Sequence, residues 1–196
     1  NPFRELHPNI WAVSLTSFLM DISSEMVLNI LPLFLSSVLG IKTNIIGIIE
    51  GVAEATSSVL KVFSGWLSDK LRSRKWLAVI GYGISAVAKP FFYIASTWEA
   101  IGAIRWADRV GKGVRTAPRD ALVADNVKPE QRGLAFGLHR AADTAGAMLG
   151  ILIAAFVVWK LQAAGSALQE HTFRTIVLIS IIPAVLAVIS LAVMTK

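Results

Sequence analysis

In this chain of 196 residues, 55% are hydrophobic and only 16% are charged, which argues against a soluble domain, where about a quarter of the residues carry charge. The formal net charge of +6 could suit a nucleic-acid-binding protein. In so apolar a chain, basic loops at a membrane surface explain it better, and we predict no nucleic-acid partner. The absence of cysteine excludes disulfides and zinc–thiolate sites. The composition therefore predicts a protein that crosses a lipid bilayer several times.

Six segments are long and apolar enough to cross a hydrocarbon core of about 30 Å, which needs roughly 20 helical residues. In chain order they cover about residues 10–38, 44–64, 76–96, 98–121, 133–159 and 173–194. Pro32 is expected to kink the first, because proline cannot donate a backbone hydrogen bond. We expect one all-α domain over residues 1–196, a polytopic membrane bundle of six transmembrane helices.

Basic residues concentrate in alternate connections between these segments. One side of the membrane would hold Arg4, Lys70, Arg72, Arg74, Lys75, Arg119, Lys128, Arg132 and Lys196, and the other only Lys42, Lys160 and Arg174. Cytoplasmic loops are enriched in Lys and Arg. We therefore expect both termini to be cytoplasmic, in a cell membrane (the inner or plasma membrane).

The charged residues inside the segments also follow an order. Segments 1 and 2 carry acids, segments 4 and 5 carry mixed charges, and segments 3 and 6 carry one lysine and no charge, respectively, within their apolar cores. This order, repeated twice, predicts a 3+3 inverted repeat with segments 3 and 6 on the outside.

A charge at the bilayer centre costs at least ~2.5–3.5 kcal/mol, so each charged side chain should face protein or water. At about 100° per residue, the charges of each segment fall on one stripe. A single acid–base pair could be structural, but four acids opposite a basic stripe favour a pathway for substrate or protons. The candidate residues are Asp21, Glu25, Glu50, Glu54, Arg105, Asp108, Arg109, Lys112, His139, Arg140 and Asp143.

The stretch DRVGKGVRTAPRD, residues 108–120, could be mistaken for a phosphate-binding loop. No strand precedes its glycines, and GKG lacks the spacing of a Walker loop. We interpret it as the inner half of the fourth helix, with Pro118 and Arg119 at the cytoplasmic end.

Three motifs resemble those of the major facilitator superfamily. GWLSDKLRSRK, residues 65–75 between helices 2 and 3, is similar to the signature G-x-L-a-D-R-x-G-R-R, with Arg72 in place of the glycine. RVGKG on the fourth helix is similar to R-x-x-x-G. Gly146 and Gly150 resemble the antiporter element G-x-x-x-G-P, although Ile151 replaces its proline.

The resemblance implies the amino-terminal six-helix half of a twelve-helix transporter, from a poorly characterised prokaryotic branch. A second half, in the same chain or another subunit, is then an expected partner. Arg109 would face the central cavity or a proton-coupling network. The cytoplasmic gate would contain Gly65, Asp69, Lys70, Arg74 and Lys75.

The function favoured by the sequence is secondary active transport, with proton-coupled export of a small organic compound. Uptake or exchange of an organic anion, metal transport through the acids, and a non-transporting six-helix module or subunit remain open alternatives. Carboxylates such as Asp21 and Glu25 could form a hydrolase dyad, but no nucleophile accompanies them, and we predict no enzymatic activity. We also predict no cofactor and no metal centre, because His139 is the only histidine within a segment.

Overall fold

The computed structural model describes residues 6–162 and 167–195, and its regular structure there is entirely helical. The helices are α1 (Pro8–Leu28), α2 (Leu31–Ser37), α3 (Thr43–Leu71), α4 (Arg74–Ile94), α5 (Trp98–Asp125), a 3₁₀ turn at Pro129–Gln131, α6 (Arg132–Leu161) and α7 (Glu170–Met194). Because α1 and α2 together form the first long segment, the predicted all-α bundle of six segments is confirmed.

The first segment is interrupted where proline was expected to kink it. Pro32 cannot donate to the carbonyl of Leu28, and the helix breaks at Asn29 and Ile30. The Asn29 side chain donates to the Glu25 carbonyl at 2.9 Å and to the Glu25 carboxylate at 2.8 Å. The first of these bonds satisfies a carbonyl that the interruption would otherwise leave free.

Two helices extend further than the sequence predicted. Residues 65–71, expected between helices, form the last two turns of α3, and the chain turns only at Arg72 and Ser73. Pro118 does not end its helix either, since α5 continues to Asp125. Pro118 does not end α5 because proline removes only one helical hydrogen bond, which packing against neighbouring helices can offset in a membrane bundle. Residues 65–71 contain no proline, and α3 continues through them to the left-handed Arg72.

The helices pack in a pattern with internal symmetry. Helix α1 packs against α6 and α7, α5 packs against α3 and α4, and α4 packs against α7. Exchanging α1 with α5, α3 with α6 and α4 with α7 interchanges the first four of these contacts in pairs and leaves the α4–α7 contact unchanged. The pattern agrees with the predicted 3+3 inverted repeat.

Glycines bring two of these pairs into close contact. A Cβ on Gly150 of α6 would lie 2.5 Å from the carbonyl oxygen of Ile22 on α1, and one on Gly113 of α5 would lie 2.8 Å from the carbonyl oxygen of Ser57 on α3. Helices in membranes use such small residues to approach closely. The Gly146–Gly150 motif therefore holds α1 against α6.

Contacts at the two ends of the bundle establish the direction of the helices. Arg74 Nε at the start of α4 lies 2.8 Å from Asp125 Oδ2 at the end of α5, and Lys75 Nζ donates to the carbonyl oxygen of Thr195. At the opposite end the rings of Phe34 and Phe173 stack at 3.9 Å. The six segments therefore alternate up and down. We call the end that carries residues 65–75 the motif end.

By length and composition, four helical stretches among the described residues could cross a membrane: Pro8–Ser37, Arg74–Ile94, Pro129–Leu161 and Glu170–Met194. The remaining two long helices, α3 and α5, were also expected to be apolar enough to span the membrane, but they do not meet that standard. They lie side by side, so their charges can neutralise one another within the bundle.

Candidate functional site

The charged faces of α3 and α5 meet in two ion pairs, which we call the α3–α5 ladder. Arg105 Nε donates to Glu50 Oε1 at 2.9 Å, and Arg105 Nη2 donates to Glu50 Oε2 at 2.5 Å. One turn along both helices, Arg109 Nε lies 3.4 Å from Glu54 Oε2. The same spacing of four residues on two parallel helices keeps the pairs in register.

A buried lysine extends the ladder towards α4. The Lys89 side chain is 0% exposed, and its Nζ lies 3.5 Å from Asp108 Oδ1. It also donates to Ser24 Oγ on α1 at 3.3 Å, while Arg105 Nη1 lies 3.5 Å from Asp108 Oδ2. The sequence analysis did not include Lys89 among the candidates, although a lone lysine in an apolar helix requires a partner. Asp108 is that partner.

Towards the motif end, the stripe on α5 opens into a second region, which we call the charged cavity. It has a volume of about 370 Å³. Its walls come from α1, α3, α5 and α6, with no lining residue from α4 or α7. The lining residues are Asp21, Glu25, Lys61, Lys112, Arg115, Thr116, Arg119, Arg140, Asp143, Thr144 and Ala147.

Two buried arginines that were not among the candidates form the back wall of this cavity. Arg115 Nη1 donates to Ser85 Oγ at 2.5 Å, and its guanidinium lies 4.6 Å from the ring centroid of Tyr82. Arg119 Nη1 donates to Ser17 Oγ at 3.2 Å. The Ser17 and Tyr82 hydroxyls are 2.8 Å apart. Both arginines continue the stripe on α5, whose periodicity places Arg119 on it and Arg115 at its margin, although neither was included among the candidates.

On α6, Asp143 gathers three basic groups around one carboxylate. Its Oδ2 lies 3.4 Å from Arg140 Nη1, 3.7 Å from His139 Nε2 and 3.9 Å from Arg119 Nη1. His139 is fully buried and does not line the cavity. Neither of its ring nitrogens has a hydrogen-bond partner among the described residues.

The sequence candidates fall into two neighbouring clusters. The ladder contains Glu50, Glu54, Arg105, Asp108 and Arg109, and the cavity contains Asp21, Glu25, Lys112, Arg140 and Asp143. His139 lies behind Asp143.

At the motif end, three of the five expected gate residues line a depression of about 640 Å³, namely Asp69, Arg74 and Lys75. Arg74 lies 3.5 Å from Asp69 and also pairs with Asp125, which the sequence analysis missed. Lys70 Nζ lies 5.0 Å from the ring centroid of Trp66, and a Cβ on Gly65 would contact Ala117 on α5 at 3.3 Å.

Arg72 occupies the place of the signature glycine and has a φ of 51°. This left-handed conformation suits glycine, which has no Cβ. The turn of the signature is therefore formed despite the substitution.

In a comparison with known protein families, residues 13–196 match the Major Facilitator Superfamily. The chain belongs to this superfamily. It is 39% identical, over 96% of its length, to an uncharacterized MFS-type transporter of Methanocaldococcus jannaschii, of which it covers 45%. Over 70% of its length it is 30% identical to the multidrug resistance protein MdtH of Cronobacter sakazakii, of which it covers 31%.

A solved structure shows the same fold. A bacterial homologue of the human lysosomal transporter Spinster, in an inward-facing and occupied conformation, superposes with a TM-score of 0.78 and 16% identity. The match covers 95% of this chain and 43% of the homologue. The chain spans less than half the length of these proteins, and the predicted transporter family and fold are confirmed.

Proposed function

We propose that the chain forms the amino-terminal half of a secondary active transporter that couples the movement of a small organic compound to protons. The charged cavity carries this proposal. Four helices form its walls, α1 and α3 from the first repeat and α5 and α6 from the second, and no residue of α4 or α7 lines it. In secondary transporters, substrate sites lie between repeats near the middle of the membrane. A second six-helix half would therefore supply the wall opposite this cavity.

We further propose that the motif end and both termini face the cytoplasm, with the protein in the inner or plasma membrane. The basic residues of the signature, including Arg74 and Lys75, and the basic start of α6 at Arg132 lie at this end. Enrichment of Lys and Arg in cytoplasmic loops supports this orientation. The gate of Asp69, Arg74 and Asp125 would then open and close the cytoplasmic entrance.

Asp21 is the group that we propose to accept the proton. Its carboxylate lines the cavity and has no ion pair or hydrogen bond with any residue that the structure describes. Glu50 and Glu54, by contrast, are paired with arginines of the ladder. A carboxylate without a partner in a membrane protein is neutralised most simply by a proton.

The direction of transport depends on how proton and cargo interact in the cavity. Export in exchange for protons, the direction favoured by the sequence, requires that the two exclude each other. Drug resistance, in the name of the relative MdtH, is a phenotype that outward transport can give. Uptake of an organic anion with protons requires that the two bind together.

Proton flux into vesicles tests this function. The protein would be reconstituted with the pH dye pyranine trapped inside, and a panel of small anionic, cationic and neutral solutes would be added outside. We expect at least one solute to drive proton movement, and Asp21→Asn to abolish it while solute exchange persists. The matched control is Glu99→Gln, in the first turn of α5 away from the cavity, which should behave as wild type. Unchanged proton flux in Asp21→Asn would exclude Asp21 as the proton acceptor.

A further inference from the structure

We propose that the charged cavity binds the cargo through an acidic group, a carboxylate or a phosphate, so that the transported compound is a small organic anion. This inference rests on the proposed transport function and specifies its substrate class. The cavity is lined by five basic side chains and three carboxylates. Its lining therefore carries an excess of positive charge that an anion would balance.

The basic groups at the mouth of the cavity are free to bind a ligand. The ammonium groups of Lys61 and Lys112 form no ion pair or hydrogen bond with any described residue. Arg140 pairs only loosely, at 3.4 Å, with Asp143, and its side chain is 61% exposed. Three flexible or exposed cations therefore surround the space that a ligand would enter.

The back wall is rigid, in contrast to the mouth. Arg115 is held by Ser85 and by the face of Tyr82, and Arg119 is held by Ser17 and Asp120. A guanidinium that is already fixed loses little conformational entropy when it binds a carboxylate or phosphate, and it can donate two hydrogen bonds to either. The combination suits an anion whose acidic group enters first.

The lining also argues against a lipophilic cargo. Among the described residues that line it, Ala147 is the only apolar one, whereas pockets for drug-like molecules are lined mainly by hydrophobic and aromatic side chains. More of the exposed surface of the lining is polar than apolar, so a soluble anion fits better than the headgroup of an anionic lipid with its acyl chains. The volume of about 370 Å³ lies near the lower end of the usual range for small-molecule sites, roughly 300–1,000 Å³.

The same charges specify how the anion and the proton interact. Asp21 shares the cavity with Glu25 of its own helix, with Lys61 of α3, with Lys112, Arg115 and Arg119 of α5, and with Arg140 and Asp143 of α6. Protonation of Asp21 removes one negative charge beside the ligand, so an anion binds more tightly when Asp21 is neutral. Proton and anion then move together, which favours uptake of an organic anion over export in exchange for protons.

Binding to the purified full-length protein in detergent tests the substrate class. The probes are succinate, citrate, glycerol 3-phosphate and inorganic phosphate, compared at constant ionic strength with succinamide, glycerol and putrescine. We expect at least one anion to raise Tm in a saturable way, and its neutral counterpart to have no effect, because a ligand that binds only the folded state stabilises it. Phosphatidylglycerol added to the micelles distinguishes a lipid headgroup from a soluble anion, and we expect it not to compete.

Variants of the cavity residues test whether the anion binds there. Lys61→Gln combined with Lys112→Gln should weaken the best anion at least about tenfold, the effect of losing one charged hydrogen bond. The matched control is Lys42→Gln with Lys160→Gln, two basic residues outside the cavity, which should leave its Kd unchanged. In wild type the anion should bind more tightly as the pH falls, and Asp21→Asn should remove this dependence.

Three outcomes would overturn the inference. They are the absence of any anion effect beyond that of salt, stabilisation by putrescine or neutral solutes instead, and displacement of the anion by phosphatidylglycerol. In the second case, transport of a cation or neutral solute by the same vesicles would leave the proposed transport function standing. Absence of solute-driven proton flux in a protein that still binds the anion would contradict the proposed transport function and leave the anion-binding site standing.

Discussion

The α3–α5 ladder and the charged cavity use the same stripe of α5 in different ways. In the ladder, Arg105 and Arg109 each have a carboxylate of α3, and Lys89 has Asp108, so positive and negative groups occur in equal number. In the cavity, five basic side chains face three lining carboxylates and one further carboxylate, Asp120, which pairs with Arg119. The comparison shows that a charge buried in a membrane bundle need not be functional. Charged side chains that outnumber the nearby groups of opposite charge are the better indication of a site.

The largest expected effect comes from breaking the ladder at its buried end. Asp108→Leu leaves Lys89 without its carboxylate in a fully buried position, and the loss of one partner of a buried ion pair costs about 3–5 kcal/mol. The free energy of unfolding in mixed micelles should fall by that amount. Lys89→Met in the same chain should recover most of the loss, because an apolar pair replaces the ionic one. A stable single variant would show that this pair is not structural.

A smaller effect is expected at the contact that positions α1 and α6 around the cavity. Gly150→Ala would place a Cβ 2.5 Å from the carbonyl oxygen of Ile22, and overpacking of this kind costs about 1–3 kcal/mol. Gly137→Ala, on the same helix, has no atom within 4 Å of the added Cβ and serves as the control. If both variants unfold with the wild-type free energy, the close contact between α1 and α6 does not hold the cavity wall.

A third test sharpens the distinction by using an acid of the ladder. The Glu54 side chain is 59% exposed and its ion pair with Arg109 spans 3.4 Å, so Glu54→Gln should change the free energy of unfolding by at most about 1 kcal/mol. Solute-driven proton flux should persist in this variant. Loss of proton flux in this variant would indicate that the proton acceptor lies in the ladder and not in the cavity.

The smallest effect lies outside both clusters, at the turn of the signature. Arg72 adopts a φ of 51°, a conformation that strains residues with a Cβ. Arg72→Gly should therefore raise the free energy of unfolding by about 0.5–1 kcal/mol. Arg72→Ala keeps the Cβ and should give no gain. Equal stability of the two variants would show that the gain has another origin.

Hydropathy and helical periodicity predicted much of the fold because they depend on local sequence. The six segments, the kink at Pro32 and the placement of each charge on one stripe all follow from it. The division of the stripe into ladder and cavity does not, because it depends on which residues of α3 lie opposite Arg105 and Lys112. Arg119 was missed as a site residue because Pro118 was expected to end its helix. Lys89 was left out of the candidates, and its partner could not be identified because Asp108 lies on another helix.

The most direct test of the account compares one variant from each cluster in the same vesicles. Solute-driven proton flux, followed with trapped pyranine, would be measured for Lys112→Gln in the cavity and for Glu54→Gln in the ladder. We predict that the cavity variant loses most of the flux at solute concentrations that saturate wild type only partly, and that the ladder variant keeps it. Flux that is lost in the ladder variant and kept in the cavity variant would contradict the assignment of the cavity as the transport site.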